Sequence, residues 1–165
     1  MASDFQLTPE NIAQMKDVLI QYVPHASALG LTIADAKPCH AWLTMPYDKK
    51  FIGNIETGVI HGGVITAMLD NACGVAVQLA LPDRTSIATL DLRIDYMKPA
   101  TPGETLMGHA HCYKVTKNIA FVRGTAYHTD ESDPIATCVG TFMLAANRAG
   151  PMEYADVITK SAKAE

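Results

Sequence analysis

Apolar residues recur along this chain in two different periods. Ile12, Met15, Leu19 and Tyr22 stand three or four positions apart, the spacing of one face of a helix. Thr8 can cap that helix, Pro9 suits its first turn, where a missing N–H costs nothing, and Pro24 is expected to stop it. Residues 30–36 and 40–45 read as two short strands with a turn at Lys37-Pro38, and the charged, glycine-containing stretch 46–58 reads as loop. Residues 62–81 are apolar on nearly every side and predict a long helix ended by Pro82-Asp83. Beyond it the period falls to two. Leu90, Leu92, Ile94 and Tyr96 alternate with Thr89, Asp91, Arg93 and Asp95, predicting a strand with one apolar and one polar face, Thr89 on the polar one. Further strands are expected over 104–114, 120–129 and 134–145. Their connectors, Thr116-Lys117-Asn118 and 130–133, are short and polar, which makes these strands antiparallel neighbours.

The order is helix, two strands, long buried helix, four strands. A helix apolar all round must be enclosed, and an antiparallel sheet curled around it is the simplest enclosure in a chain of 165 residues. The class is therefore α+β. Residues 1–25 form an added N-terminal helix packed on the domain, 26–146 the domain itself, and 147–165 an Ala- and Lys-rich tail. The sheet keeps open edges, and a homodimer joined edge to edge would cover one. Composition narrows the function classes. Hydrophobic residues are 48% and charged residues 18%, enough to bury a core; net charge is −4, a poor basis for nucleic acid or anionic membrane partners. The most apolar stretch, Val59 to Leu81, carries His61, Asp70, Asn71 and Gln78, which fits a soluble helix better than a bilayer span. Met1-Ala2-Ser3-Asp4-Phe5 has neither a basic nor an apolar signal region, and Cys39, Cys73, Cys112 and Cys138 are scattered within apolar runs. Reduced, core-filling thiols in a cytoplasmic protein are expected, with no metal and no cofactor.

Candidate chemistry concentrates in Ile60-His61-Gly62-Gly63-Val64 and the helix that follows. Glycines at a helix start leave the first N–H groups bare, and the helix dipole adds positive potential, so the terminus can hold a carbonyl oxygen that becomes negative during reaction. The same glycines also fit a plain, tightly packed loop-to-helix junction. Asp70 sits mid-helix, where a carboxylate is costly unless it is hydrogen-bonded, paired (Arg93 is one partner to hand) or used as acid, base or nucleophile. Asp70 lies nine residues beyond His61, or about 13 Å and half a turn along a helix. If both ends serve one site, the second must come from a partner subunit, giving an isologous dimer with two sites at its interface. Other residues carry weaker signals. Thr89 reads as a strand hydroxyl, Asn54 as a turn residue, and His109 and His111 share a strand face without a third metal ligand; His40 and His128 carry no spacing argument. Lys98, Lys114, Lys117 and Arg123 lie around the strand turns and could together meet a ligand's phosphates. Gly-x-Ser-x-Gly and the glycine-rich nucleotide loops are missing.

The run Val59-Ile60-His61-Gly62-Gly63-Val64-Ile65-Thr66-Ala67-Met68-Leu69-Asp70 resembles the signature of the hotdog-fold acyl-CoA thioesterases, nearest the phenylacetate-degradation (PaaI-like) branch. It is also similar to the 4-hydroxybenzoyl-CoA thioesterases, which have Glu at the position of Asp70. Residues 89–100 and 136–142 resemble the family's later strands, and the resemblance spans 28–145. It implies a sheet wrapped around the central helix, a dimer with two interface sites, often a dimer of dimers, and an acyl-CoA substrate. By the same resemblance, the Gly62 N–H polarises the thioester carbonyl, and Asp70 of the other subunit acts as nucleophile or general base. Thr89 matches a hydroxyl near that carboxylate. His61 and Gly63 flank the carbonyl site. Asn54 resembles a site asparagine of some relatives, one residue further from His61 than in their pattern, and Lys98 and Lys117 lie near the CoA phosphates. A non-catalytic acyl-CoA-binding module on the same groove is the main rival, and an enoyl-thioester hydratase a further one; an acid at the motif position favours the hydrolase.

Overall fold

The computed structural model describes residues 20, 23–82 and 85–145. The helix expected over 8–22 and the tail 147–165 lie outside that set, except for Ile20, which is buried. Pro24, expected to stop the preceding helix, begins one of its own. Helix α1 is Pro24–Ala28, with the proline in its first turn, where only an N–H without a helical partner is lost. Strands β1 (Thr32–Lys37) and β2 (His40–Met45) form a hairpin, turned through Cys39 at φ +67°. The stretch expected as loop is partly regular. The Asp48 side chain accepts from the Lys50 N–H to start a 3₁₀ turn at Lys49–Phe51, and β3 (Ile52–Asn54) pairs with β4 (Val59–Ile60). Strands this short show too little alternation to be read from sequence.

Helix α2 is Gly62–Gln78, ending a turn before Pro82. Strands β5 (Ile87–Tyr96), β6 (Leu106–Val115), β7 (Ile119–Tyr127) and β8 (Ala136–Leu144) follow. The main sheet has six antiparallel strands in the order β1-β2-β6-β7-β8-β5. Helix α2 lies on one face of this sheet. Met68, Leu69, Ala72, Cys73, Ala76 and Val77 are fully buried against it. At Gly108 a Cβ would come within 2.9 Å of Met68 Cε, so glycine there lets helix and sheet approach closely. The enclosure expected from the helix's apolar character is incomplete. Gly63 is exposed, and Ala67, Asp70 and Gly74, which continue the same stripe, are only half-buried. The physical reason is topological: β5 is the edge of the sheet, and no further strand of the described chain covers the helix beyond it.

The strict alternation expected in β5 is broken. A β-bulge between Thr89 and Asp91 leaves Leu90 without a partner on β8. The extra residue reverses the phase of the strand. Ile87, Leu92 and Ile94 pack on the core, Leu90 is 54% exposed, and Thr89 reaches the helix. Thr89 therefore lies on the helix-facing side, not on the opposite polar face. Without the bulge, Thr89 and Leu92 could not face the same way.

Candidate active site

The start of α2 is held by a compact set of hydrogen bonds. His61 precedes the helix in extended conformation, and its Nδ1 accepts from the Gly63 N–H at 3.0 Å. The His61 N–H donates to the Phe51 carbonyl at 2.8 Å, and the His61 carbonyl accepts from the Val64 N–H at 3.0 Å. Gly63's donor is thus spent on the cap. The Gly62 N–H donates to no acceptor among the described residues. It lies at a cleft of about 330 Å³ lined by Gly62, Ile65, Tyr96, Lys98 and Pro99. A free backbone donor at a helix N-terminus is suited to an oxygen that gains charge.

Tyr96, at the end of β5, closes the other side of this terminus. Its hydroxyl donates to the Gly62 carbonyl at 2.6 Å and lies 2.7 Å from Thr66 Oγ1. A Cβ on residue 62 would come within 3.2 Å of the Tyr96 ring. Tyr96 and Thr66 were not singled out from sequence. The signal was available: Tyr96 falls on the helix-facing set of β5, and a tyrosine in such a place needs a partner for its hydroxyl.

Two turns further along α2, Thr89 Oγ1 donates to Asp70 Oδ1 at 2.8 Å. Arg93 pairs instead with Asp95 at 3.0 Å, so it does not neutralise Asp70. Cys73, one turn on, lies 3.7 Å from Cys138 Sγ. Contact with Cys138 and burial push the Cys73 thiol well above its usual range, which keeps it neutral and a poor nucleophile.

The remaining candidates separate. Asn54 Oδ1 accepts from the Glu56 and Thr57 N–H groups at 3.0 and 3.3 Å, closing its own turn. Lys98 lines the cleft but forms an ion pair with Asp133. Lys117 is exposed in the β6–β7 turn, at the end of the sheet where Ile87 meets Leu144, while Lys98 follows the end where Tyr96 meets Ala136. At about 3.3 Å per residue the two ends are roughly 25 Å apart, so one chain does not bring these lysines together. His109 and His111 lie on the sheet's outer face with His40 and Trp42. The His40 and His111 rings stack at 4.0 Å, those of Trp42 and His109 at 4.2 Å, and His109 bonds Glu131. His40 Nδ1 and His109 Nε2 meet at 3.0 Å, so these ring nitrogens are spent on each other, and no group of three metal-ligating side chains occurs among the described residues.

The six-stranded antiparallel sheet packed on a long helix is the hotdog fold. The model of the thioesterase superfamily matches residues 57–135, from the turn before β4 to the residue before β8. A putative esterase of Halobacterium salinarum is 31% identical over 120 residues, covering 69% of this chain and 78% of that one. The medium/long-chain acyl-CoA thioesterase YigI of Escherichia coli is 27% identical over 141 residues, covering 78% and 90%. A crystal structure of a Pseudomonas aeruginosa protein is 44% identical with a TM-score of 0.72, covering 80% of this chain and 97% of that one. The chain belongs to the thioesterase superfamily and is a thioester hydrolase.

Proposed function

We propose that this chain hydrolyses acyl-CoA thioesters at two equivalent sites, each shared between two copies joined along β5. The observation that carries this reading is the pairing on α2 of an unpartnered Gly62 N–H at a cleft with an Asp70 carboxylate held by Thr89. The Gly62 N–H donates to the thioester carbonyl oxygen and stabilises the oxyanion as the carbonyl carbon becomes tetrahedral. Asp70 attacks that carbon, or takes a proton from the water that attacks it. The C–S bond then breaks and CoA leaves as a thiolate that takes up a proton; after water attack this gives the free acid at once, and after direct attack a water must next cleave the acyl–Asp70 anhydride to release the acid and restore the carboxylate.

Sharing between copies follows from distance. Gly62 and Asp70 stand eight residues apart on one continuous helix. That is about 12 Å along its axis, whereas reacting atoms must come within about 3–3.5 Å. An antiparallel second helix, brought in by the edge strand, supplies the missing acid. The open stripe Gly63, Ala67, Asp70 and Gly74 and the exposed edge strand, with Leu90 54% and Tyr96 50% exposed, support that joint. A pair of dimers is an extension of the same geometry. His61 and Gly63 hold the carbonyl site, and Asn54, Lys98 and Lys117 face the CoA moiety, the two lysines coming from different copies. The likeness to YigI, a medium/long-chain acyl-CoA thioesterase, supports the substrate class. Residues 26–146 are the catalytic unit. Four cysteines and no disulfide among the described ones favour a reducing compartment, the cytoplasm.

The test is a panel of aryl- and aliphatic acyl-CoAs with free-thiol detection, run on wild type, Asp70→Asn and Asp70→Ala. Loss of the base or nucleophile should lower kcat by about 10²–10⁴-fold while thermal unfolding is unchanged. Full rate in Asp70→Asn on every substrate refutes the assignment. So does specific activity that persists at dilutions where light scattering detects only monomer. Binding without turnover by the wild type would favour the acyl-CoA-binding module instead.

A further inference from the structure

We propose that Tyr96 is a positioning residue for the oxyanion donor, acting through the carbonyl of Gly62. The inference rests on the Gly62 role proposed above. A glycine N–H is a poor fixed donor unless something outside the residue holds it, because glycine's backbone dihedrals are freer than any other residue's. Gly62 is held on both flanks. The preceding peptide is pinned where the His61 carbonyl accepts from Val64 and the His61 N–H donates to Phe51. The following peptide is pinned where the Gly63 N–H meets His61 Nδ1 and where Tyr96 donates to the Gly62 carbonyl at 2.6 Å. Of these anchors, Tyr96 alone comes from the sheet, so it ties the orientation of the donor to β5.

The hydroxyl cannot serve the substrate at the same time. Its one proton goes to the Gly62 carbonyl, which also accepts from Thr66 Oγ1 at 3.2 Å, and the two hydroxyl oxygens lie 2.7 Å apart. The ring lies 3.2 Å from where a Gly62 Cβ would stand and so packs closely on that side of the helix start. Tyr96 therefore acts on the transition state only by aiming the N–H.

Tyr96→Phe keeps the ring and removes the bond. The expected result is a fall in kcat of about tenfold, smaller than the 10²–10³ seen when a donor itself is deleted, with KM within twofold. Thr66→Val, which removes the hydroxyl beside Tyr96 and its longer bond to the Gly62 carbonyl, should give a smaller fall of the same kind. The decisive measurement is the infrared carbonyl stretch of the fastest substrate from the panel, carrying ¹³C at the thioester carbon and bound to Asp70→Asn. Bound to that variant the band should move to lower frequency than in water, and adding Tyr96→Phe should remove at least half of the shift. A shift unchanged by Tyr96→Phe overturns the proposal, as does a variant that raises KM and leaves kcat alone. No shift in Asp70→Asn itself would instead overturn the Gly62 role on which the proposal stands.

Discussion

Gly140→Ala is a substitution outside the cleft that should reach the site through the sheet. Gly140 lies on β8 opposite Leu92, beside the bulge. A Cβ there would stand 2.8 Å from the Asp91 backbone oxygen, 3.0 Å from Leu92 Cδ1 and 3.5 Å from Val122 Cγ2. The leucine can rotate away. The carbonyl belongs to the paired backbone of β5 and can move only if the bulge shifts. Overpacking of this kind costs about 1–3 kcal/mol, which for a domain of this size lowers Tm by about 2–12 °C. The second effect is on rate. The bulge turns Thr89 toward Asp70, and a hydrogen bond to a charged group contributes about 1.5–3 kcal/mol. Partial loss of that alignment should lower kcat by about tenfold, or about 1.4 kcal/mol. Urea unfolding gives the first number, and acyl-CoA turnover at a temperature where the variant is folded gives the second. An unchanged unfolding midpoint refutes the packing argument. A lowered midpoint with undiminished kcat refutes the link from the bulge to Thr89.

Two further outcomes are expected. Leu90→Glu places a carboxylate at the exposed bulge of the edge strand; sedimentation should show monomer and activity should be lost together, and an active, dimeric variant would remove β5 as the joint. Burial first, then the neighbouring charges of His111, His109, Lys37 and Arg123, holds the His40 imidazole below its ordinary range; burial, Arg123 and His109 do the same for His111. The unfolded chain then takes up protons at these positions before the folded one does. Their contribution to stability is full above about pH 6.5 and is lost as pH falls below it toward the folded values. Tm should drop between pH 7.5 and 5.5, less steeply in a His40→Gln/His111→Gln variant, and parallel slopes in the two proteins would contradict the assignment.

What the sequence made legible is what periodicity encodes. A run apolar on all sides from residue 62 could only be a packed helix, and polar connectors of a few residues forced β6, β7 and β8 into antiparallel neighbours. Gly62 at a helix start and Asp70 mid-helix stood out because each is costly without a reason. The bulge was illegible, because Thr89 through Tyr96 alternate without a break, and nothing local says that Leu90 lacks a partner. That depends on β8, some fifty positions downstream. The hydroxyl at Thr89 was therefore placed on the wrong face although it lies beside the acid. Pro24 is ambiguous for a related reason: proline ends one helix and begins the next equally well, and the short helix it begins here buries Ala26.

A donor that belongs to the backbone cannot be deleted by changing its own side chain. Substitution at Gly62 adds a group against Tyr96 and leaves the N–H in place. The evolutionary and experimental handles on such a site are consequently its supports: His61, which caps; Phe51, whose carbonyl anchors; and Tyr96 with Thr66, which hold the next peptide. The same logic places Thr89 around Asp70. Both halves are braced by β5, Tyr96 at its end and Thr89 at its bulge. Because β5 is also the sheet's open edge, any second copy that pairs along it would tune donor and acid in one movement. Under the proposed joint along β5, association and catalytic alignment would be coupled through a single strand, and substitutions that loosen that edge should lower kcat before they abolish association.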